Sequence, residues 1–172
     1  VDEREMVNKN VIALDVGGSS IKSAICASDG RVMGRVRQTV INATATDKED
    51  PLTTLAECVG RHLDEIEGVL GRTVAGSVAG VAIAFPGPFD YEKGVCQIPQ
   101  FLLKYFALFG VDVGAEIRAR LGDRLPADCP IRFRNDAEAS ILGEALFGSM
   151  QSEPVVLGLT LGTGLGSCAV EH

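Results

Sequence analysis

The chain has 172 residues, of which 46% are hydrophobic and 20 are glycine. This length and hydrophobic content suffice to bury one core and exclude a disordered tail. The net charge of −7 and the lack of a basic stripe argue against a nucleic-acid partner, because binding the phosphate backbone requires clustered cations. The low-charge region 73–88 is too rich in glycine and proline for a membrane span. The charged start VDEREMVNKN lacks the apolar core of a signal peptide. We therefore expect a cytoplasmic protein with no membrane partner.

The first predicted elements are three strands in an antiparallel meander. Residues 11–16 (VIALDV) and 21–27 (IKSAICA) are short apolar runs with β-branched residues, and residues 31–41 alternate apolar and polar positions. The first strand is predicted to be central in its sheet.

An amphipathic helix is predicted after a polar loop at 42–51, because Pro51 suits a first helical turn. His62 lies in this helix and is predicted to be a solvated surface residue rather than a catalytic base. The apolar side chains that recur at three- and four-residue spacing are Leu52, Leu55, Val59, Leu63, Ile66 and Leu70.

The rest of the chain is predicted to alternate strands and helices, as in an α/β protein. The predicted elements are a buried parallel strand at 77–85, a loop at 86–94, helices at 113–121 and 137–147, a strand at 130–134, and a hairpin formed by 154–161 and 166–170. The cysteines at positions 26, 58, 96, 129 and 168 are scattered without a CxxC pair, which predicts reduced thiols and argues against a metal site in this chain.

The last hairpin repeats the first. At an offset of 145 residues, IALDVGGSSIKSAI aligns with LGLTLGTGLGSCAV, so that Asp15 matches Thr160 and Gly17 matches Gly162. Two glycine-rich turns facing one cleft can hold a phosphate chain from both sides. Neither turn is a P-loop or a dinucleotide-binding fingerprint, because each leads into a strand rather than a helix.

The first turn carries the groups that a phosphate site needs. Asp15 would repel a bare phosphate, so its presence suggests a Mg²⁺ ion held mostly through water. A plain hairpin turn is the alternative for this stretch alone, and the second glycine turn favours phosphate. The predicted donors are the amides of Gly17 and Gly18, the hydroxyl of Ser19 and the ammonium of Lys22, which can equally point to solvent.

The strand-to-helix junction in RFRNDAEASILGEALFG carries a carboxylate, Asp136. A structural interpretation makes Asp136 a helix cap that meets the positive end of the helix dipole, and taken alone this is the stronger one. The functional interpretation makes Asp136 the general base for a substrate hydroxyl and Asn135 a ligand for neighbouring hydroxyls of a polyol.

Four motifs in this order, DVGGSSIK, FPGPFDYEKG, RNDAEASILGEALFG and LTLGTGLGS, resemble the ROK family (repressor, open reading frame, kinase) of sugar kinases over residues 15–167. The resemblance implies an α/β actin-like ATPase fold with a ribonuclease H-like core, that is, a mixed five-stranded sheet with flanking helices. Residues 1–134 would form the N-terminal lobe, and residues 135–172 the interlobe helix and first hairpin of a second lobe.

The resemblance also implies an ATP-dependent sugar kinase that uses Mg²⁺ and forms a homodimer. Asp136 becomes the catalytic base and Asn135 a sugar ligand, while Pro86 and Gly87 line the sugar pocket; Gln100, where the family differs, can bond a sugar hydroxyl at longer reach. The residues implied to face the ATP phosphates are Asp15, Gly17, Gly18, Ser19, Gly162, Thr163 and Gly164.

The sequence departs from the family pattern in ways that leave the sugar open. Ser19 replaces a frequent threonine, Arg134 and Glu138 flank the Asn-Asp pair, and Gln100 stands where the family often has a sugar-contacting asparagine. The family's Glu-x-Gly-His segment and cysteine-rich zinc site follow the second glycine hairpin and are absent here. We therefore expect an inactive fragment of a kinase, with structural zinc possible only in the missing C-terminal part.

Two alternatives stay open. Some members of the family are sugar-responsive transcription regulators with a DNA-binding domain ahead of the kinase-like part, but only about ten residues precede the first strand here. The other alternative is a non-catalytic nucleotide-binding module of the actin-like class.

Overall fold

The structure, a computed structural model, describes residues 9–71, 76–161 and 165–171. Its helices are α1 (Glu49–Leu70), α2 (Val113–Leu121) and α3 (Asp136–Phe147). Its strands are β1 (Asn10–Val16), β2 (Ser20–Cys26), β3 (Val32–Val40), β4 (Val78–Phe85), β5 (Phe89–Asp90), β6 (Val95–Cys96), β7 (Ile131–Asn135), β8 (Val155–Leu161) and β9 (Leu165–Glu171).

A five-stranded mixed sheet in the order β3-β2-β1-β4-β7 forms the centre of the fold. The first three strands pair antiparallel, whereas β4 is parallel to both β1 and β7. The predicted meander, the central place of β1 and the mixed five-stranded sheet are confirmed. Because β1, β4 and β7 run the same way, their carboxyl ends meet at one edge of the sheet, where open α/β sheets bind ligands.

The main core lies between this sheet and the helices α1 and α2. Residues of β1 alternate between buried and more accessible positions, and its buried residues Ile12 and Leu14 belong to one cluster with Leu55 and Leu63 of α1. The helix α1 begins at Glu49, slightly before the predicted start at Pro51, which sits in its first turn where a proline costs no hydrogen bond. Among the described residues, no helix is both long and apolar enough to cross a membrane.

The prediction that His62 is solvated is wrong. His62 is fully buried between α1 and the sheet, where its Nε2 lies 2.9 Å from the hydroxyl oxygen of Ser23. The pattern contained the signal, because His62 lies three and four residues from Val59 and Ile66 on the buried stripe of the helix. The tertiary fold supplied the partner, a serine 39 positions away on β2.

The second hairpin, β8 and β9, begins and ends 145 residues after β1 and β2, in agreement with the predicted repeat. The pairing differs by one residue, because Val16 pairs with Ile21 in the first hairpin while Leu161 pairs with Leu165 in the second. One face of the second hairpin packs on α3 around Ile141, in a cluster separate from the main core. The other face carries leucines exposed to solvent.

Candidate functional site

A cleft of about 670 Å³ opens at the carboxyl edge of the sheet. Segments that are far apart in the sequence meet there because the parallel strands all end at this edge. The lining residues that matter here are Gly17 and Gly18 after β1, Pro86 and Gly87 after β4, Lys104 and Tyr105, Asn135 and Asp136 after β7, and Leu165, Gly166 and Ser167 of β9.

The turn after β1 uses some of its backbone groups to hold its own shape. The Gly17 amide donates to the Ser20 carbonyl at 3.0 Å, and the Ser19 carbonyl accepts from the Ile41 amide at 3.1 Å. The Gly17 carbonyl accepts a hydrogen bond of 2.5 Å from the Tyr105 hydroxyl. Within the described part of the chain, the amides of Gly18 and Ser19 donate to no backbone carbonyl. No described side chain accepts from them either, so that, as far as the structure describes the chain, the turn presents two free N–H groups, at Gly18 and Ser19, while the Gly17 amide is already used.

Asp15 and Lys22 form a cross-strand ion pair at 3.9 Å, with both side chains more than half exposed. They line a second cleft of about 1020 Å³ that Asp136 also lines, and not the cleft at Gly17 and Gly18. The carboxylates of Asp15 and Asp136 thus line the same cleft. Such a pair fits Mg²⁺, which binds one or two carboxylates and completes its shell with water and phosphate oxygens. No group of three or more metal-ligating side chains occurs among the described residues.

The junction between β7 and α3 is held by Asn135 rather than by Asp136. The Asn135 Oδ1 accepts from the Glu138 amide at 3.1 Å and so caps the helix, and its Nδ2 donates to the Tyr91 hydroxyl at 3.1 Å. That hydroxyl donates in turn to the Phe85 carbonyl at 3.1 Å. The capping role that the structural interpretation gave to Asp136 therefore belongs to its neighbour.

Asp136 is half-buried and faces both clefts. Its Oδ1 accepts from the Ala137 amide at 2.9 Å, and no other described residue forms a hydrogen bond to this carboxylate. A carboxylate oxygen on a rigid strand-to-helix junction is thus available to accept a proton from a ligand.

Tyr91 links this junction to the end of β4 and was missed by the sequence analysis, although it lies within FPGPFDYEKG. Burial raises the pKa of Tyr91, and the negative charges of Asp136 and Glu138 add to the effect. The phenol therefore stays protonated and continues to donate to the Phe85 carbonyl near neutral pH.

Arg134 of β7 and Glu138 of α3, which depart from the family pattern, form an ion pair at 2.6 Å. Both side chains are substantially exposed, so the pair contributes little to stability. The pair adds no net charge beside Asp136.

The predicted sugar-side residues fall in two places. Pro86 and Gly87 line the cleft beside Asn135, and the space next to Gly87 is taken up by the Tyr91 hydroxyl and the Asn135 amide. Gln100 is exposed in a 3-10 turn at 100–102 and does not line the cleft.

Two residues of the same segment, Lys104 and Tyr105, do line the cleft, and the sequence analysis did not identify them. Tyr105 is 1% exposed, its amide donates to the Ala43 carbonyl at 2.5 Å, and its ring packs on Phe85 with 5.1 Å between centroids. The segment LLKYFALFG has no helical or strand period, so the sequence carried no signal for this placement.

Gly162, Thr163 and Gly164 lie outside the described residues. Their neighbours Leu165 and Gly166 line the same cleft as Gly17.

A protein-family model described as "ROK family" matches residues 11–171. The glucokinase of Thermotoga maritima is 28% identical over 168 residues, which cover 97% of this chain and 46% of that protein. The N-acetyl-D-glucosamine kinase of Pectobacterium carotovorum subsp. carotovorum is 32% identical over 152 residues, which cover 88% of this chain and 43% of that protein. The solved structure of an inorganic polyphosphate/ATP-glucomannokinase from Arthrobacter sp. strain KM matches with a TM-score of 0.67 and 29% sequence identity. The match covers 95% of this chain and 59% of that one. The chain thus spans less than half the length of these two curated relatives.

Proposed function

The chain belongs to the ROK family and has the sheet of the actin-like ATPase fold, and from this we propose that the intact protein transfers the γ-phosphoryl group of ATP to a hydroxyl group of a sugar. The names of the related kinases support this reaction class. The observation that carries the proposal is that Asp136 lines one cleft with the Gly17–Gly18 turn, at the carboxyl ends of parallel strands.

In the proposed reaction, Asp136 accepts the proton of the sugar hydroxyl as that oxygen attacks the γ-phosphorus. The bond between the γ-phosphorus and the β,γ-bridging oxygen breaks, and ADP leaves. Positioning of the two substrates supplies most of the rate enhancement, because phosphoryl transfer requires little covalent chemistry from the protein.

The nucleotide phosphates are proposed to lie against the turn after β1, where the amides of Gly18 and Ser19 are free to donate. A Mg²⁺ ion near Asp15, bound mainly through water, would neutralise charge on the phosphate oxygens. Lys22 is proposed to add positive charge, which requires that it leave its ion pair with Asp15. The second turn, Gly162, Thr163 and Gly164, is proposed to grip the phosphates from the other side.

The sugar is proposed to lie beside Pro86, Gly87 and Asn135. One hydrogen of the Asn135 amide is engaged by Tyr91, which leaves its second hydrogen for a substrate hydroxyl. A contact from Gln100 requires that the turn at 100–102 move toward the cleft.

We also propose that residues 1–134 form the first lobe and residues 135–172 begin a second. The separate cluster around Ile141 supports this division. Homodimer formation and a cytoplasmic location stay predictions that follow from the family resemblance and the composition.

A sugar panel tests the proposed function. The intact protein is mixed with ATP and Mg²⁺, and ADP release is followed with glucose, mannose, N-acetylglucosamine, N-acetylmannosamine and a β-glucoside. Release that requires one of these sugars, with the matching sugar phosphate as product, supports the proposal. ATP hydrolysis or ATP binding that no sugar changes would contradict it and favour a non-catalytic nucleotide-binding module.

A further inference from the structure

We propose that Lys104 is a phosphate-binding residue of this cleft, whose ammonium group binds a β- or γ-phosphoryl oxygen of the nucleotide together with the amides of Gly18 and Ser19. The inference rests on the proposed function and extends it to a residue in a segment with no regular sequence pattern. It assigns the cleft a cation other than Lys22, which pairs with Asp15 and lines the second cleft.

The Lys104 side chain lies directly on the glycine turn. A Cβ atom built on Gly18 would overlap the Lys104 Nζ and would come within 3.0 Å of its Cε and 3.4 Å of its Cδ. The end of the lysine side chain therefore occupies the space that any side chain at position 18 would need. This contact gives Gly18 a role beyond turn formation, because a side chain at position 18 would force the flexible end of Lys104 to move away from its place beside the amides.

The backbone around Lys104 holds it in this position. Leu103 and Tyr105, on either side, both adopt left-handed conformations, with φ of 58° and 53°. Non-glycine residues rarely adopt this region, and such residues cluster at functional sites where the surrounding structure fixes them. Here the fixing contacts are those of buried Tyr105, whose hydroxyl reaches the Gly17 carbonyl and whose amide reaches the Ala43 carbonyl. Lys104 is thus tied to the same turn that it covers.

Lys104 has no counter-ion within the described part of the chain, whereas Lys22, Lys48 and Lys93 each pair with a carboxylate. Its ammonium and the amides of Gly18 and Ser19 bring three donor groups to one turn, and none of them has an acceptor among residues 9–71, 76–161 and 165–171. Neighbouring backbone amides with an adjacent cation form the concave donor arrangement that binds anionic oxygens. The arrangement fits a phosphoryl group better than a neutral hydroxyl.

Two sources can supply an anionic oxygen in this cleft: the nucleotide phosphates or an acidic substituent on the sugar. The contact with Gly18 favours the nucleotide, because the turn after β1 is where the phosphates are proposed to lie. An acidic sugar is the alternative that the experiment separates.

The experiment measures binding to the intact protein by calorimetry, using four ligands in turn: the non-hydrolysable ATP analogue AMPPNP with Mg²⁺, inorganic tripolyphosphate, AMP and glucuronate. The variants are Lys104→Met, which keeps the length of the side chain without its charge, and Lys104→Arg, which keeps the charge. Lys93→Met is the matched control, because Lys93 pairs with Asp90 and lies outside the cleft. Gly18→Ala is a further variant that displaces the flexible end of Lys104 without removing its charge.

We expect Lys104→Met to weaken binding of AMPPNP and tripolyphosphate by about tenfold to a hundredfold, the range for losing a hydrogen bond to a charged group, with AMP binding unchanged. Gly18→Ala should weaken the same two ligands, Lys104→Arg should recover part of the affinity, and Lys93→Met should match the wild type. In turnover, Lys104→Met should lower kcat/KM for ATP with little change in KM for the sugar.

Unchanged AMPPNP and tripolyphosphate affinity in Lys104→Met would overturn the inference. A loss confined to glucuronate would also overturn it, because the anion would then belong to the sugar. If the wild type bound AMPPNP but phosphorylated no sugar, the proposed function would be rejected. The comparison of AMPPNP binding between the wild type and the Lys104 variants would still decide the role of Lys104. A wild type that binds neither AMPPNP nor tripolyphosphate would overturn both.

Discussion

The hydroxyl of Tyr105 donates a 2.5 Å hydrogen bond to the carbonyl oxygen of Gly17, 88 positions earlier in the chain. The bond fixes the segment that carries Lys104 to the turn after β1. Because the Gly17 amide is bonded to Ser20, both backbone groups of this glycine are used. The free amides of the turn are therefore those of the next two residues, and their orientation depends on Gly17 being held from both sides.

Replacing Tyr105 with Phe should remove this bond and keep the ring packing on Phe85. We expect the free energy of unfolding to fall by about 0.5–1.5 kcal/mol, because the Gly17 carbonyl loses its donor, and KM for ATP to rise. Burial holds the pKa of Tyr105 far above its usual range, so the effect should not vary between pH 6 and pH 9. Urea unfolding measures the change in the free energy of unfolding, and steady-state kinetics measure the change in KM for ATP. Tyr91→Phe is the comparison, since it alters the Asn135 side of the cleft. If Tyr105→Phe and Tyr91→Phe changed KM for ATP equally, the bond from Tyr105 to Gly17 would have no specific role in ATP binding.

Replacing Asp136 with Asn should abolish most sugar phosphorylation. Loss of a general base lowers kcat by about a hundredfold to ten-thousandfold. The fold should be kept, because an amide oxygen can still accept from the Ala137 amide and the Asn135 cap is untouched. Sugar-dependent ADP release gives the rate, and thermal unfolding checks the fold. Asp128→Asn, an exposed position in the loop before β7, is the control. If Asp136→Asn turned over at the wild-type rate, Asp136 would not be the general base.

The two roles assigned to Asn135 can be separated by a pair of variants. Both variants lose the hydrogen bond to Tyr91, but Asn135→Ala also removes the helix cap, which should lower its free energy of unfolding by a further amount of about 0.5–2 kcal/mol relative to Asn135→Ser, which keeps a capping oxygen. Both variants lose the amide, so both should lower kcat/KM for the sugar. Denaturant titration and sugar kinetics provide the two readouts. Full sugar kinetics in Asn135→Ser would show that the amide does not bind substrate.

The buried His62 should make the folded state less stable in mild acid. Burial lowers the pKa of His62, and Arg37 and Arg61 lower it further, while Glu65 opposes the shift from 3.6 Å away. The unfolded chain therefore binds a proton at a higher pH than the folded chain does. Stability from the neutral imidazole is complete above the ordinary pKa of about 6.5 and is lost as the pH falls from there through the folded pKa.

Urea unfolding of the wild type and of His62→Gln between pH 7.5 and pH 5 tests this effect. The free energy of unfolding of the wild type should fall relative to that of the variant as the pH decreases. Parallel pH profiles would mean that His62 is protonated equally in both states.

The arrangement of strands and helices was predictable because burial leaves a local period in the sequence. The short apolar runs of β1 and β2 and the three- and four-residue spacing in α1 predicted the sheet and its covering helix, and the offset of 145 residues predicted the second hairpin. The one clear failure, His62, came from treating a polar residue on the buried stripe as exposed. Its buried partner, Ser23, could not be identified from the helix alone.

At the site, the turns and junctions that carry polar groups could be identified from the sequence: the glycines at 17 and 18, and the pair Asn135 and Asp136. Residue type and local spacing are enough for that, because the groups follow directly after strands. Three features depend on the folded chain: Asn135 is the cap, Gln100 stays outside the cleft, and Lys104 and Tyr105 enter it. The segment carrying Lys104 has no period, and its path is set by contacts with Gly17, Ala43 and Phe85, which lie far away in the chain and become neighbours only when the parallel strands end at one edge.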